Sequence, residues 1–180
     1  MSMPRRLALA IALAGAIGPA RGDVAALKAP KLGTPLKPAE VSKWDRTIFP
    51  DGRGLPPGRG TAEEGRSLYA AKCASCHGAR GEGATAEDLI GPPKPPTPDN
   101  PNKTIGAYWP FATTVFDFIA RSMPPAAPGS LSGDEVYALT AFLLSANGVI
   151  KEDEVMTAAT LPKVKMPNRD GFVWIDVKAK

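Results

Sequence analysis

Two cysteines and the single histidine lie within five consecutive residues, in the order Cys73-Ala74-Ser75-Cys76-His77. Thiols three residues apart at a helix end can each form a thioether with one vinyl group of a porphyrin, and the adjacent imidazole then reaches the iron from the same side. With two Cys and one His in total, the chain lacks the ligands for a zinc site of four cysteines, or of two cysteines and two histidines. The motif therefore predicts one covalent c-type haem with His77 as an axial ligand.

Two other functions of a C-x-x-C pair agree less well with the sequence. A thiol–disulfide redox pair is typical of a β-α-β unit, and no strand pattern precedes Cys73. A structural disulfide is possible in an exported chain, but it leaves the adjacent His77 without a role. We therefore prefer haem attachment to both.

A second axial ligand must be another residue type, because the chain has no further His or Cys. The thioether of methionine suits haem iron and raises its reduction potential relative to a second imidazole. Outside the N-terminal leader described below, the candidates are Met123, Met156 and Met166. Two prolines follow Met123 and stiffen its loop, so we favour Met123 and keep Met166, which also precedes a proline, as the alternative.

Three helices are expected to position these residues. Thr61-Ala62-Glu63-Glu64 is a capping box, and it predicts a helix from Thr61 to about Lys72, directly before the first cysteine. Gly65 and Tyr69 lie four residues apart on this helix, so they share a face on which another helix could approach closely.

The other two helices follow the C-x-x-C-H motif. One is expected over about 112–122, and its predicted buried side comprises Val115, Phe116, Phe118 and Ile119. A second capping box, Ser132-Gly133-Asp134-Glu135, begins the last helix. Its apolar stripe of Val136, Leu139, Thr140 and Leu143 has helical spacing, and Asn147-Gly148 is a stop signal.

The N-terminus has the features of a secretory signal. Arg5 and Arg6 precede an uncharged apolar run over 7–17, which is too short to span a bilayer, and Ala20-Arg21-Gly22 has the small residues of a cleavage site. We expect residues 1–22 to be removed during export to the periplasm, with an uncleaved membrane anchor as the alternative. No membrane span is expected after cleavage.

Removal of the leader changes the charge balance. The full chain has 22 basic and 18 acidic side chains, and residues 1–22 contain three of the basic ones and none of the acidic ones. The mature chain would then be nearly neutral, so the charge gives no indication of nucleic-acid binding.

Gly and Pro are frequent, with 18 and 20 copies, which predicts long irregular stretches around a small core. We divide the chain into the leader over 1–22, an extended N-terminal segment over 23–60, a haem domain over 61–147 and a C-terminal extension over 148–180. The aromatic residues of the N-terminal segment, Trp44 and Phe49, suggest that it lies across another surface. No strand ladder is evident, and 172–175 is at most one short strand.

In these features the region 61–147 resembles the class I cytochrome c family. The resemblance includes the helix with Gly65 and Tyr69, the C-x-x-C-H motif, a Gly91-Pro92 dipeptide, the Met123-Pro124 loop and the last amphipathic helix. It implies an all-α fold, small and helical, around one covalent haem. It also implies that the carbonyl of Pro92 accepts the Nδ1–H of His77, with Pro93 as an alternative.

A narrower resemblance extends beyond this region. The segments 44–45, 50–56, 104–114 and 166–172 resemble those of the cytochrome subunits of sulfite and Sox-type sulfur dehydrogenases, although this chain has one haem motif where the longer Sox form has two. It implies a partner subunit that contains a molybdopterin cofactor, oxidises sulfite or another sulfur compound, and passes electrons to this haem. A downstream acceptor, such as another cytochrome or an oxidase, would then take them.

Three further side chains could contact the haem propionates. Tyr108 and Trp109 carry an O–H and an N–H that could donate to a propionate, and Arg80 could form an ion pair with one. Ordinary packing is an equally good explanation for all three.

An iron bound by both His77 and Met123 has no open position for a substrate, and the sequence contains no catalytic cluster. We therefore expect a carrier of single electrons, an electron-transfer subunit that is not catalytic on its own. Two alternatives remain open. One is a free, diffusing cytochrome between a dehydrogenase and a terminal oxidase. The other is an open-iron haem enzyme or sensor, which requires that Met123 does not bind.

Overall fold

The computed structural model of the chain describes residues 32–92, 96–99 and 103–173. The predicted leader, Pro93 and Trp174 lie outside the described residues. The chain divides into two units, Met1–Lys37 and Pro38–Lys180. The described part of the first unit, 32–37, has no regular secondary structure, and the second unit contains all the elements named next.

The described residues form a mainly helical fold, which confirms the all-α prediction. The elements in chain order are α1 (Pro38–Trp44), β1 (Arg59–Gly60), α2 (Ala62–Lys72), α3 (Ala74–His77), α4 (Ile105–Tyr108), α5 (Ala112–Ser122), α6 (Gly133–Ala146) and β2 (Met156–Thr157). A 3-10 turn follows at Leu161–Lys163. No helix in the described part of the chain is long and apolar enough to cross a bilayer.

Both predicted capping boxes are present. The Thr61 hydroxyl accepts the N–H of Glu64, whose carboxylate accepts the N–H of Thr61 in return. Ser132 and Glu135 make the same reciprocal pair at the start of α6. Each box satisfies two backbone donors that a helix N-terminus leaves without an intrahelical partner, and so defines where α2 and α6 begin.

The helices α2 and α6 pack against each other at Gly65. A Cβ at this position would overlap the backbone carbonyl of Ala138, so only glycine allows α2 to come this close. One turn further along α2, the ring of Tyr69 packs on Phe142 with centroids 5.1 Å apart. The shared face predicted for Gly65 and Tyr69 is therefore the helix–helix contact.

The C-terminal extension closes one side of this core. β2 pairs with β1 in antiparallel register, Gly60 opposite Met156, in a ladder too short to give a strand pattern in the sequence. Met156, Leu161 and Met166 are all buried in the same apolar cluster as α5 and α6. The residues after 147 thus supply part of the core of the second unit.

Two details differ from the sequence-based expectations. The N-terminal segment is not extended throughout, because 38–44 forms α1, and Trp44 at its end is 82% exposed. Phe118, expected on the buried side of α5, is 46% exposed, because it lies at the flank of the face formed by Val115, Phe116 and Ile119. The Phe118 ring instead packs edge-on against Trp109, with centroids 5.8 Å apart.

The contact at Gly65 leads to a stability prediction. Gly65→Ala forces α2 away from Ala138, and overpacking of this kind costs about 1–3 kcal/mol, against which the better helix propensity of Ala returns at most about 1 kcal/mol. We expect a net loss of about 1–2 kcal/mol in the free energy of unfolding, measured by urea titration. Ser67→Ala, on the exposed side of α2, is the matched control and should change stability by less than about 0.5 kcal/mol. Equal stability of the two variants would contradict the close contact.

Candidate haem site

The C-x-x-C-H motif lies at the junction of α2 and α3. Cys73 ends α2 by donating its N–H to the carbonyl of Tyr69 at 2.9 Å, and its own carbonyl accepts the N–H groups of Cys76 and His77 at 3.1 and 3.0 Å. This single turn places both thiols and the imidazole at one end of α2. Cys73 is half-buried and Cys76 exposed, and no disulfide joins them. Burial raises the pKa of the Cys73 thiol.

A cavity of about 480 Å³ adjoins the motif, a volume typical of a cofactor pocket. Its wall includes Cys73, Cys76 and His77 on one side and the loop after α5 on the other. Apolar side chains from the loop before α4 and from the helices complete it: Leu89, Ile119, Leu139 and Leu143. A second, smaller cavity of about 70 Å³ shares His77, Leu89 and Met123 with the first and extends the space towards Trp109 and Phe118.

The imidazole of His77 is oriented by a backbone carbonyl. Its Nδ1 lies 2.7 Å from the carbonyl oxygen of Glu87. Because a carbonyl can only accept, Nδ1 carries the proton and donates it, which leaves the lone pair of Nε2 available to a metal. The expectation that Pro92 provides this carbonyl is therefore wrong, and Pro92 is exposed.

Glu87 reaches His77 because the loop after the motif folds back on it. The N–H of Gly83 donates to the carbonyl of His77 at 2.8 Å, and the N–H of Ala86 donates to that of Cys76 at 2.9 Å. Nothing in the sequence could have identified Glu87, since its contribution is a backbone atom that every residue has. The carbonyl expected from the Gly91-Pro92 dipeptide lies five residues after the one that accepts the imidazole proton.

Of the three methionine candidates, only Met123 lines either cavity. Met123 is half-buried directly after α5, and its N–H donates to Ile119 at 3.0 Å, so the end of the helix determines where its side chain begins. Met156 and Met166 are buried in the apolar core, with 2% and 3% of their surface exposed. The structure therefore brings Met123 together with His77, and it does not bring Met166 there.

The three candidates for propionate contacts have different surroundings. Trp109 lines the smaller cavity. Tyr108 lines neither cavity and packs edge-on against Phe172, with centroids 5.4 Å apart. Arg80 is also outside both walls; its exposed guanidinium lies 4.0 Å from the carboxylate of Glu82.

The chemistry of this donor set matches haem c. Two thiols at C-x-x-C spacing and an imidazole with a free Nε2 adjoin a largely apolar cavity, and a thioether lies on the wall of the same cavity. Soft sulfur and imidazole ligands are those that haem iron accepts. Carboxylates and further histidines, which a zinc or calcium site would need, are missing from this wall.

Comparison with known proteins agrees with this chemistry. The Cytochrome c family model matches residues 62–147. A chain of the crystal structure of the sulfane dehydrogenase SoxCD from Paracoccus pantotrophus is 44% identical, with a TM-score of 0.75, over 82% of this chain and 73% of that chain. The chain belongs to the cytochrome c family. A search of curated protein sequences gave no match.

Membership in this family means that the cytochrome carries covalently bound haem c and transfers electrons. The class I assignment and the small helical fold expected from the sequence are confirmed. The prediction of haem c from the C-x-x-C-H motif is confirmed as well.

Two buried tyrosines donate hydrogen bonds to backbone carbonyls. The Tyr69 hydroxyl donates to the carbonyl of Gly78 at 2.9 Å, beside the haem motif, and the Tyr137 hydroxyl donates to Pro56 at 2.9 Å. Burial disfavours the phenolate and raises the pKa of each to about 12.

We expect stability to fall as the pH rises from about 10 to about 12. In this window the unfolded chain releases two phenolic protons that the folded chain retains, at a cost of roughly 2–3 kcal/mol for each tyrosine by pH 12. Below pH 10 both states are protonated and this contribution is fully present. Urea unfolding at a series of pH values measures the effect. The Tyr69→Phe/Tyr137→Phe variant should lose most of the slope, and an undiminished slope in that variant would assign it to other groups.

Proposed function

We propose that the cytochrome is the electron-accepting subunit of a periplasmic molybdenum dehydrogenase for sulfite or a related sulfur compound. It would take single electrons from the molybdopterin subunit and pass them to a downstream cytochrome or oxidase. The observation that carries the electron-transfer part is that His77 and Met123 line the same cavity, so that the chain itself can supply both axial ligands.

Each residue of the site has a defined task in this proposal. The sulfurs of Cys73 and Cys76 would hold haem c through thioethers, with His77 Nε2 and Met123 Sδ as axial ligands. When bound, haem c supplies a one-electron couple at its iron. The Glu87 carbonyl keeps the His77 ring in one tautomer and one orientation.

The surroundings of His77 and Met123 favour a change in the charge of the haem without rearrangement of these two side chains. The imidazole of His77 is held by the carbonyl of Glu87, and Met123 follows directly on the last turn of α5, so both side chains would hold the haem from anchored positions. Leu89, Leu139 and Leu143 present an apolar wall to the site. With both His77 and Met123 as ligands, the iron would have no open position for substrate chemistry.

The proposed partner is supported by the extent of the similarity. The match to a chain of SoxCD covers 82% of this chain, whereas the family model covers only 62–147. The likeness therefore extends beyond the haem domain, and a general electron carrier would not require that. SoxCD is described as a sulfane dehydrogenase, which supports a sulfur compound as the substrate of the partner.

Export to the periplasm is supported by the sequence of residues 1–22, with its basic start, apolar run and small residues at the end. Attachment of haem to thiols outside the cytoplasm in bacteria requires an exported chain. The proposed location and the proposed cofactor are thus mutually consistent.

The sixth ligand can be tested with two methionine variants. Met123→Ala should lose the far-red charge-transfer band that a thioether–iron bond gives in the oxidised protein, and the reduced variant should then bind carbon monoxide. Met166→Ala is the control, since Met166 is equally apolar but buried in the core. We expect it to keep the band while losing about 2–5 kcal/mol of stability. Loss of the band in Met166→Ala alone would reverse the assignment.

The proposed partner can be tested by purifying the full chain from its natural host under mild conditions. We expect molybdenum and haem iron to elute together in a fixed ratio, and addition of sulfite or another reduced sulfur compound to reduce the haem in this complex. The same compounds should leave the isolated cytochrome oxidised. A monomer without molybdenum that accepts electrons at the full rate from an unrelated donor would instead identify a free carrier.

A further inference from the structure

Asn147, directly after α6, joins this helix to the loop before α4. Its side chain is almost fully buried, with 2% of the residue exposed. Oδ1 accepts the N–H of Gly91 at 3.2 Å, and Nδ2 donates to the carbonyls of Leu89 at 3.1 Å and Leu143 at 2.8 Å. These three hydrogen bonds use both donor protons of the amide and one of its acceptor sites, so the side chain is held in one orientation.

The loop that Asn147 holds is the one that orients His77. The carbonyl of Glu87, two residues before Leu89, accepts the imidazole Nδ1–H at 2.7 Å. On the other side, the N–H of Leu89 donates to the carbonyl of Gly81 at 2.8 Å. Glu87 itself is exposed. The residues next to that carbonyl are anchored by backbone hydrogen bonds and by the buried side chain of Asn147.

We propose that Asn147 is a positioning residue for His77. It touches neither the imidazole nor the wall of the haem cavity; it holds 89–91 against the end of α6, and the loop in turn keeps the Glu87 carbonyl in line with Nδ1–H. A hydrogen bond at Nδ1 orients a metal-bound imidazole and raises the basicity of its Nε2. The inference rests on the proposed role of His77 as an axial ligand.

The helix α4 packs against the side chain of Asn147. A Cβ at Gly106 would lie 2.9 Å from Cβ of Asn147 and 3.1 Å from its Oδ1, tighter than ordinary packing. The N–H of Ile105, on the same helix, donates to the carbonyl of Leu89 at 3.0 Å. Gly106→Ala should therefore displace the Asn147 amide without removing it, which gives a second way to disturb the loop.

The test measures the His77 Nδ1–H directly. Proton NMR of the reduced, haem-containing full chain follows exchange of this proton with solvent in the parent, Asn147→Ala and Gly106→Ala. Thr140→Val is the matched control: Thr140 is buried on α6 and donates to Val136 at 2.7 Å, but has no hydrogen bond to the loop. Each rate is compared after correction for global stability, measured by urea unfolding.

We expect exchange at least about tenfold faster in Asn147→Ala, as for the loss of one buried hydrogen bond, a smaller acceleration in Gly106→Ala, and the parent rate in Thr140→Val. The proposal would be overturned if, after correction, the His77 Nδ1–H exchanged in both loop variants at the same rate as in Thr140→Val. Asn147 would then be a helix cap only. If Asn147→Ala does not mature with haem, Gly106→Ala decides by the same criterion.

A failure of this inference is distinguishable from a failure of the proposed function. If His77 is the axial ligand, the haem ring current shifts its ring protons strongly upfield in the reduced parent protein. Absence of that shift in the parent would overturn the ligand assignment itself. A normal shift in the parent with unchanged exchange in the loop variants would overturn only the role of Asn147.

Discussion

The arrangement of the haem cavity depends on the close contact between α2 and α6 at Gly65. A side chain at this position would overlap the backbone of Ala138. The two helix axes can therefore come this close only because the residue is glycine. The helix α2 leads directly into Cys73, while Leu139 and Leu143 follow Ala138 along α6 and form the facing wall. One missing Cβ thus determines the distance between the attachment motif and the apolar side of the cavity.

Loops complete the site, and each is anchored to a helix end. The loop after the motif bonds back to Cys76 and His77 and places a carbonyl at the imidazole, and the loop after α5 begins at Met123. Helix ends suit this task because their backbone groups lack intrahelical partners and can bind a neighbouring segment. The residues that define the chemistry are therefore on short connections, and the helices keep those connections in register.

The helices and the attachment chemistry could be predicted, whereas several tertiary details could not. Capping boxes gave the start of α2 and α6 because they are contacts between residues three apart. The exposure of Phe118 was mispredicted because its apolar character does not reveal which side of α5 faces the core. The helix α1 was missed, since its seven residues form no amphipathic pattern long enough to recognise.

By itself the sequence determined the haem type. The two thiols and the imidazole lie within five consecutive residues, so their proximity in space follows from their proximity along the chain. It also limited the sixth ligand to a few methionines, because no other suitable side chain exists. Only the tertiary structure placed Met123 at the cavity and Met166 in the core, and only it assigned the Nδ1 partner to Glu87 instead of Pro92. The physical reason is that a carbonyl is present in every residue, so which one meets the imidazole depends on the path of the folded chain and not on residue type.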